Sequence, residues 1–502
     1  MRGYAVGPVV ILVILAASTA RAQTIDDVPR VHPNDPHRFQ MAGQTWVPAG
    51  YYPSIGALTS DQQDYVTYYK SLIDKQAAHG INYFRNVFTM GQQYGTSTIP
   101  YQRPGPGVAA DGRPRFDLTR FNQAHFDYWR NIVSYARSKG VVVQICILDA
   151  WHNKALVVED NGDSQHEWGM KYDFYYGGNN VNGVDTPGLA QWTSTTHPVF
   201  NYHKAMIRKL IDTIGDLPNI VWEVCNEQFS GDPNFQPALA DEITSYERSK
   251  GFVPHLVMPR DLPNHEMLEH CLVDVGQIHA SMVSNFSRNQ PLFHDNDCSA
   301  NAVSPDYRRQ KAWACLTGGG HIDFFHFDMY RQAVLDSADV TDGMRFVGYM
   351  RKFVSDLGVN LVGMAPSDGL VSNGWCLARS GEEYVIYLPS SGSTTVSGLP
   401  ASFTARWFNP RTGISQTASG GPAFAAPDSN DWVLHVVKST GPSGGDDSGG
   451  GRCGLLGAEI LIFAAARRRF LRRIGTAGAS RAIFATVTGT PLPADRTCAS
   501  AR

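Results

Sequence analysis

The sequence predicts an α/β protein, a (β/α)8 TIM barrel followed by a small antiparallel, β-sandwich-like domain. Apolar runs of strand length alternate with helical segments as far as about residue 357, which is the pattern of a parallel α/β barrel. From about Gly363 the elements become short strands separated by turn residues. A chain of 502 residues accommodates a barrel and one smaller domain.

The barrel elements can be placed along the chain from apolar periodicity and turn residues. The strand at 220–225 is the clearest, because it is an apolar run typical of a strand buried on both faces. The other strands are expected around residues 46–50, 81–88, 141–148, 255–258, 273–278, 291–294 and 322–327. Helices are expected at 61–79, 118–139, 199–214, 237–250, 305–316 and 340–357.

The N-terminus is typical of a secretory signal peptide, which we assign to residues 1–22. Arg2 supplies the positive region, 6–17 form the apolar segment, and Ala20-Arg21-Ala22 is a small-residue cleavage site. The N-terminus therefore predicts a secreted protein. The formal charge of −3 gives no argument for nucleic acid as a partner. We also expect a monomer.

Eight cysteines are compatible with export. Cys146 and Cys225 fall in predicted core strands and are expected to be buried thiols, whereas one disulfide is plausible among Cys271, Cys298 and Cys315. No cysteine or histidine spacing indicates a zinc site, and no cofactor is predicted.

The fourth predicted strand ends in an amide and a carboxylate, Asn226 and Glu227, within the stretch NIVWEVCNEQ. In parallel barrels this end of a strand carries the chemistry, although a solvated pair after a core strand is the plain alternative. The motif WEVCNE resembles the fourth-strand signature of the clan A glycoside hydrolases, in the cellulase and apiosidase-like group. The resemblance implies that Glu227 is the general acid/base and that Asn226 binds the sugar 2-hydroxyl.

Glycoside hydrolysis needs a second carboxyl group. The resemblance expects a Glu at the end of strand seven, but QPLFHDND contains none, and Asn296 occupies the aligned position. Strand alternation puts Asp295 and Asp297 on one side. We favour Asp297 as the nucleophile or base, with Asp295 next. Because Asp is shorter than Glu, retention, inversion and loss of activity stay open, as does a role for both Asp residues in a turn or at a cation.

Further substrate contacts are predicted at the ends of other strands. Arg85 matches an Arg that clan A barrels keep beside the nucleophile, where a cation favours the ionised carboxylate. His152 and His279 are expected at the ends of strands three and six as hydroxyl ligands, and Trp151 as a stacking platform. An ion pair for Arg85 and structural hydrogen bonds for the histidines are the alternatives. Glu223, deeper in strand four, is interpreted as a buried, satisfied carboxylate.

The barrel is assigned to residues 23–362 and the β-domain to 363–440. The motif WFNPRTG in the latter resembles the β-domain, named for collagen binding, that follows the barrel in one group of bacterial glycoside hydrolases. Residues 441–452 form a Gly/Ser linker. Residues 453–502 combine Cys453, an apolar run and an Arg cluster, which resembles C-terminal sorting signals of bacterial surface proteins and implies membrane or cell-surface attachment. A disordered basic tail is the alternative.

The leading hypothesis is a glycosidase that takes a carbohydrate substrate. A carbohydrate-binding surface protein whose catalytic pair has decayed is the first rival, because the strand-seven Glu is missing. A metal-dependent barrel hydrolase is the second, although the first strand lacks the usual histidine ligands. Its candidate ligands are His294, Asp295, Asp297, His321, Asp323, His326 and Asp328.

Overall fold

The structure is a computed structural model that describes residues 24–53, 65–89, 99–150, 173–226, 228, 231–262, 274–295, 304–326, 329 and 331–439. The described residues up to 439 belong to one compact unit. Within the part of the chain that is described, no helix is long and apolar enough to cross a bilayer.

A three-stranded antiparallel sheet comes first, made of β1 (Arg30–His32), β2 (Asp35–Met41) and β3 (Gln44–Trp46). We call this sheet the hairpin. Ala42 and Gly43 join β2 to β3, and both have positive φ values, of 50° and 73°, which suits a tight hairpin turn. The predicted first barrel strand therefore begins too early, because Trp46 ends this hairpin.

A seven-stranded parallel sheet forms the core, in the order β10-β9-β8-β5-β4-β12-β11. The strands between residues 49 and 326 are β4 (Ala49–Pro53), β5 (Tyr83–Val87), β6 (Tyr101–Gln102), β7 (Asp117–Phe121), β8 (Val142–Asp149), β9 (Ile220–Asn226), β10 (Leu256–Met258), β11 (Phe293–Asp295) and β12 (His321–His326). The order matches the predicted barrel strands five, four, three, two, one, eight and seven. Residues 263–273, which connect β10 to the next element, lie outside the described part.

The sheet curls around a common interior. The rings of Tyr83 in β5 and Phe293 in β11 stack with centroids 5.2 Å apart, although β4 and β12 lie between those strands in the sheet. Leu256 and Phe293, on the two edge strands, belong to one buried cluster that also includes Phe39 and Trp46 of the hairpin. The hairpin therefore covers one end of this interior.

Helices cover the outer face of the sheet, since their apolar side chains share one large core with outward residues of the strands. The α-helices of the described residues, in chain order, are α1 (Tyr65–Ala78), α2 (Gln123–Ser138), α3 (Leu189–Trp192), α4 (Val199–Ile214), α5 (Phe235–Ser249), α6 (Val275–Asn285), α7 (Pro305–Thr317), α8 (Gln332–Leu335) and α9 (Ala338–Asp356).

One predicted strand is wrong, and one predicted helix begins later than expected. The segment expected to be strand six is mostly helix α6, and the side chain of Asp274 caps that helix by accepting from the Gln277 backbone N–H. The helix expected from residue 118 begins at Gln123, because 117–121 pairs as strand β7 with β6.

The C-terminal region is an antiparallel sheet, as predicted. Its strands are β13 (Ala365–Pro366), β14 (Trp375–Arg379), β15 (Glu383–Leu388), β16 (Ser393–Thr395), β17 (Phe403–Asn409), β18 (Ile414–Thr417), β19 (Ala423–Ala425) and β20 (Trp432–Lys438). Six of them form one sheet in the order β13-β14-β15-β20-β17-β18, and β16 pairs with β19.

This sheet packs directly on the helical layer. Trp313 of α7 stacks on Tyr387 with centroids 5.9 Å apart, and Phe353 of α9 meets Phe408 at 5.2 Å. Burial of large aromatic rings on both sides indicates a fixed joint between the two regions.

The predicted thiols Cys146 and Cys225 are buried, as expected. Cys315 is a free, buried thiol, so the disulfide considered among Cys271, Cys298 and Cys315 does not include it. Cys271 and Cys298 lie outside the described residues.

Asp35 ties the hairpin to the C-terminal region and makes the fold sensitive to acid. Its carboxylate accepts from the backbone N–H of His37 at 2.9 Å and of Gly363 at 2.8 Å. Burial raises the pKa of Asp35, but these hydrogen bonds outweigh burial and leave the pKa below its ordinary value of 3.8. Because the folded-state pKa of Asp35 lies below its unfolded-state pKa, the ionised carboxylate stabilises the fold at pH values above the unfolded-state pKa. This stabilisation is lost as the pH falls through the folded-state pKa.

Asp35→Asn is therefore expected to cost about 1–3 kcal/mol at pH 7. Below pH 3.8 the difference from wild type should shrink, because protonation of Asp35 weakens the same contacts. Urea unfolding at a series of pH values measures this difference. A gap that stays constant down to strongly acidic pH contradicts the assigned role of Asp35.

Candidate active site

Asn226 is fixed at the carboxyl end of β9 by two partners of opposite charge. Its Oδ1 accepts from Arg85 Nη2 at 2.8 Å, and its Nδ2 donates to Asp149 Oδ1 at 2.9 Å. Arginine can only donate and a carboxylate can only accept, so the orientation of the amide is unambiguous. Asp149 ends β8 directly beside Asn226 in the parallel ladder. Within the described residues these contacts use one N–H of the Asn226 amide and leave the other for a further acceptor.

Arg85 lies beneath Asn226 in a buried polar network. Its Nε and Nη2 donate to the two carboxylate oxygens of Glu223 at 2.7 and 2.6 Å. Gln144 Nε2 donates to Glu223 Oε2 at 2.7 Å, and the hydroxyl of Tyr83 donates to Gln144 Oε1. The prediction that Glu223 is a buried, satisfied carboxylate is confirmed.

The electrostatics of this network hold Arg85 in its charged form. Burial lowers the pKa of Arg85, but the charge of Glu223 and the hydrogen bonds to it raise that pKa well above its ordinary value. Burial and the nearby Glu223 charge also raise the pKa of the Cys146 thiol well above normal. The bottom of the site thus contains a permanent ion pair and a neutral thiol.

The loop after β9 is held by hydrogen bonds between Asp232 and residues Thr193 and Thr195, which we call the clamp. Asp232 Oδ2 accepts from the Thr195 hydroxyl at 2.7 Å, and the Asp232 N–H donates to Thr193 Oγ1 at 3.1 Å. Gln228 Nε2 donates to the Asp232 carbonyl at 3.0 Å. Glu227 itself lies outside the described residues, but its neighbours on both sides, Asn226 and Gln228, are held.

The two long inserts pack together into one lobe, made of the described residues 99–121 and 173–193. Phe116 donates its N–H to the Asn179 carbonyl at 2.8 Å, and its own carbonyl accepts from Val181 N–H at 2.8 Å. The hydroxyls of Tyr101 and Tyr175 lie 3.0 Å apart. The inserts follow β5 and β8, the strands that supply Arg85 and Asp149.

The predicted site residues fall into four groups, the last of which is His279 alone. Asn226 and Arg85 are in contact, as described above. Glu227, Asp297, Trp151 and His152 lie outside the described residues, so their predicted roles stay predictions. For Asp295 only the backbone is described, as the last residue of β11.

His279 is not at the end of a strand. It lies in α6, where Nε2 is 2.8 Å from Asp368 Oδ2 and Nδ1 is 3.1 Å from the Ala314 carbonyl. Its ring stacks on Trp375 at 4.6 Å, so both residues join the helical layer to the C-terminal sheet. The premise for His279 as a sugar ligand is therefore wrong. Trp375 therefore packs in this joint.

The proposed metal ligands of β12 do not converge. His326 faces the helices, with Nε2 3.5 Å from Asp339 Oδ2, whereas His321 lies among the rings of Phe39 and Phe293 in the interior. Among the described residues, no group of His, Cys, Asp or Glu is arranged to hold a metal ion.

Asp149 was missed as a site residue. A polar residue directly after an apolar strand, one strand away from Asn226, was the signal that could have identified it. Its pairing with Asn226 depends on the ladder register, which the sequence does not reveal.

Solved structures with a similar fold include glycoside hydrolases. One, named only as a glycoside hydrolase, is 14% identical with a TM-score of 0.55, and the match covers 83% of this chain and 98% of that one. A family 5 glycoside hydrolase from Bacteroides vulgatus is 14% identical with a TM-score of 0.55, with 82% and 93% covered. This chain shares their fold. No family model and no curated protein matches the sequence.

Proposed function

We propose that the protein is a glycoside hydrolase that cleaves O-glycosidic bonds in a polysaccharide or oligosaccharide. The observation that carries the proposal is the oriented amide of Asn226, locked between Arg85 and Asp149 directly before Glu227. A fixed N–H donor next to a carboxyl group, at the carboxyl end of a parallel strand, suits recognition of a sugar hydroxyl beside the bond that breaks.

In the proposed mechanism Glu227 protonates the glycosidic oxygen as the leaving group departs. Asp297, or Asp295 in its place, attacks the anomeric carbon or activates a water molecule. The remaining N–H of Asn226 donates to the 2-hydroxyl, and Arg85 keeps the amide in place. We also propose that an eighth strand closes the sheet into a barrel. Residues 1–22 direct export of the protein, and residues 453–502 attach it to the cell surface.

A hydrolysis screen tests this function. The purified protein is incubated with plant and microbial polysaccharides and with aryl glycosides, and new reducing ends are measured. Release that is insensitive to a chelator supports the two-carboxylate mechanism and excludes the metal-dependent alternative. Binding of a polysaccharide without release supports the decayed, carbohydrate-binding alternative, which is motivated by Asn296 at the strand-seven position.

Gly231 is expected to be essential for the geometry of the Glu227 loop. Its φ is +98°, and a Cβ there would lie 2.2 Å from Thr193 Oγ1. Gly231→Ala must therefore move the loop away from its clamp. A displacement of about 1 Å at a catalytic group can lower turnover by roughly 100-fold, so kcat should fall by about 10- to 100-fold.

Gly251→Ala is the matched control, because Gly251 also has a positive φ, of +75°, but its Cβ would meet nothing within 4 Å. Both variants should lose some stability from backbone strain. Only Gly231→Ala should lose turnover at a temperature where both are folded. Equal kcat for the two variants contradicts the clamp.

A further inference from the structure

The buried pair between Arg85 and Glu223 shares a nitrogen with the candidate site. Arg85 and Glu223 are 2% and 1% exposed, respectively. Nη2 of Arg85 donates both to Glu223 Oε1 at 2.6 Å and to Asn226 Oδ1 at 2.8 Å. We infer that Glu223 is a positioning residue, which orients the Arg85 guanidinium and, through it, the Asn226 amide. The inference rests on the proposed function for its effect on turnover.

The planar geometry of the guanidinium makes this coupling rigid. A carboxylate that accepts from Nε and Nη2 together fixes the plane and the rotation of the group. The same planar geometry fixes the direction of the second N–H of Nη2, which donates to Asn226 Oδ1. Rotation of the guanidinium away from Glu223 would therefore also break the contact with Asn226.

Glu223 accepts a further hydrogen bond within the interior of the sheet, and a second buried carboxylate, Glu247, lies on the other face of β9. Gln144 Nε2 donates to Glu223 Oε2, and Tyr83 donates to Gln144. On the outer face of the same strand, Trp222 Nε1 donates to Glu247 Oε1 at 2.8 Å, and the His255 N–H donates to Glu247 Oε2 at 3.0 Å. Glu247 is fully buried and belongs to the helical layer, so it provides an internal comparison.

The pairing also changes the role that the family resemblance gives to Arg85. Both N–H groups of Nη2, and the one on Nε, serve Glu223 and Asn226, which leaves only Nη1 for a strand-seven carboxylate or a sugar hydroxyl. The charge of Arg85 is already balanced by Glu223. Arg85 therefore acts first on the donor that binds the sugar, rather than as a bidentate partner of the nucleophile.

The test compares Glu223→Gln with Glu247→Gln. The first replaces a carboxylate oxygen that faces Arg85 by an amide group, so one of the two contacts with the guanidinium is lost. Turnover of the best glycoside from the screen should fall at least tenfold in Glu223→Gln and less than twofold in Glu247→Gln. Both are assayed well below their unfolding temperatures, because both lose a buried charge.

A second readout does not depend on catalysis. In protein labelled with 15N-asparagine, the side-chain amide signal of Asn226 is assigned by its loss in Asn226→Ala. That signal should shift or broaden in Glu223→Gln and stay in place in Glu247→Gln. If Glu223→Gln does not fold, Glu223→Asp is tested in its place. This variant keeps the negative charge but moves the carboxylate away from Arg85, and it should show a smaller shift of the Asn226 signal and a smaller loss of turnover.

The outcomes separate the inference from the proposed function. If the wild type hydrolyses no glycoside, the proposed function fails, while the Asn226 signal still decides whether Glu223 orients the amide. A folded Glu223→Gln variant with wild-type kcat and an unmoved Asn226 signal overturns the inference. A loss of turnover of the same size in Glu247→Gln would also overturn it, because the effect would then be a general consequence of destabilising β9.

Discussion

Replacement of Glu227 by Gln is expected to lower kcat on an unactivated glycoside by about 10²- to 10⁴-fold. The amide keeps the shape of the side chain but cannot protonate the leaving oxygen. A dinitrophenyl glycoside of the same sugar has a leaving group that departs without a proton. Release of dinitrophenol in the first turnover should therefore fall much less than turnover of the unactivated glycoside. Rapid-mixing absorbance measurements compare the two substrates.

Glu242→Gln is the matched control. Glu242 lies on α5, and its carboxylate pairs with Arg208 at 2.6 Å on the outer surface, away from the polar network. This variant should retain wild-type turnover on both substrates. Wild-type activity in Glu227→Gln, or an equal loss on both substrates, would contradict the role of Glu227 as a general acid.

The joint between the helical layer and the C-terminal sheet should be highly sensitive to loss of a single charge. Asp431 accepts from Arg309 Nε at 2.8 Å and Nη2 at 3.0 Å, and from the Tyr387 hydroxyl at 2.9 Å. All of these groups are buried. Asp431→Ala leaves a buried guanidinium without its main partner, which is expected to lower the free energy of unfolding by roughly 3–5 kcal/mol.

Urea unfolding, followed by circular dichroism and tryptophan fluorescence, measures this loss. Asp216→Ala removes a bidentate partner of Arg130 in a pair whose side chains are 45% and 46% exposed, and should cost less than about 1 kcal/mol. Similar losses in the two variants would show that the C-terminal sheet is not an integral part of the folded unit.

The strands of the parallel sheet were predictable where local signals agreed with the tertiary structure. The strand Ile220–Asn226 has an apolar run, a preceding turn and a polar end, and the structure places it close to the predicted bounds. The helix Val199–Ile214 and the strand Glu383–Leu388 match the prediction residue for residue. In each of these segments, periodicity and boundary residues favour the same structure.

The sequence misleads where two local signals compete or where a contact depends on distant residues. Asp274 and Gln277 form an N-terminal capping pattern, which outweighed the apolar residues that indicated a sixth strand. Residues 117–121 are a strand because they pair with Tyr101–Gln102 of the preceding insert. Arg85 and Glu223 are 138 residues apart in the chain, and no local pattern pairs them.

The central claim is that Glu227 and a strand-seven aspartate act together on one glycosidic bond. A crystal structure of the protein with a bound sugar-like inhibitor measures it directly, through the distance from the Glu227 carboxyl group to those of Asp297 and Asp295. We expect one of these distances to fall between roughly 5 and 9.5 Å, with the inhibitor between the two groups and its 2-hydroxyl on Asn226. A Glu227 side chain directed away from the inhibitor, or both aspartates beyond that range, would contradict the claim.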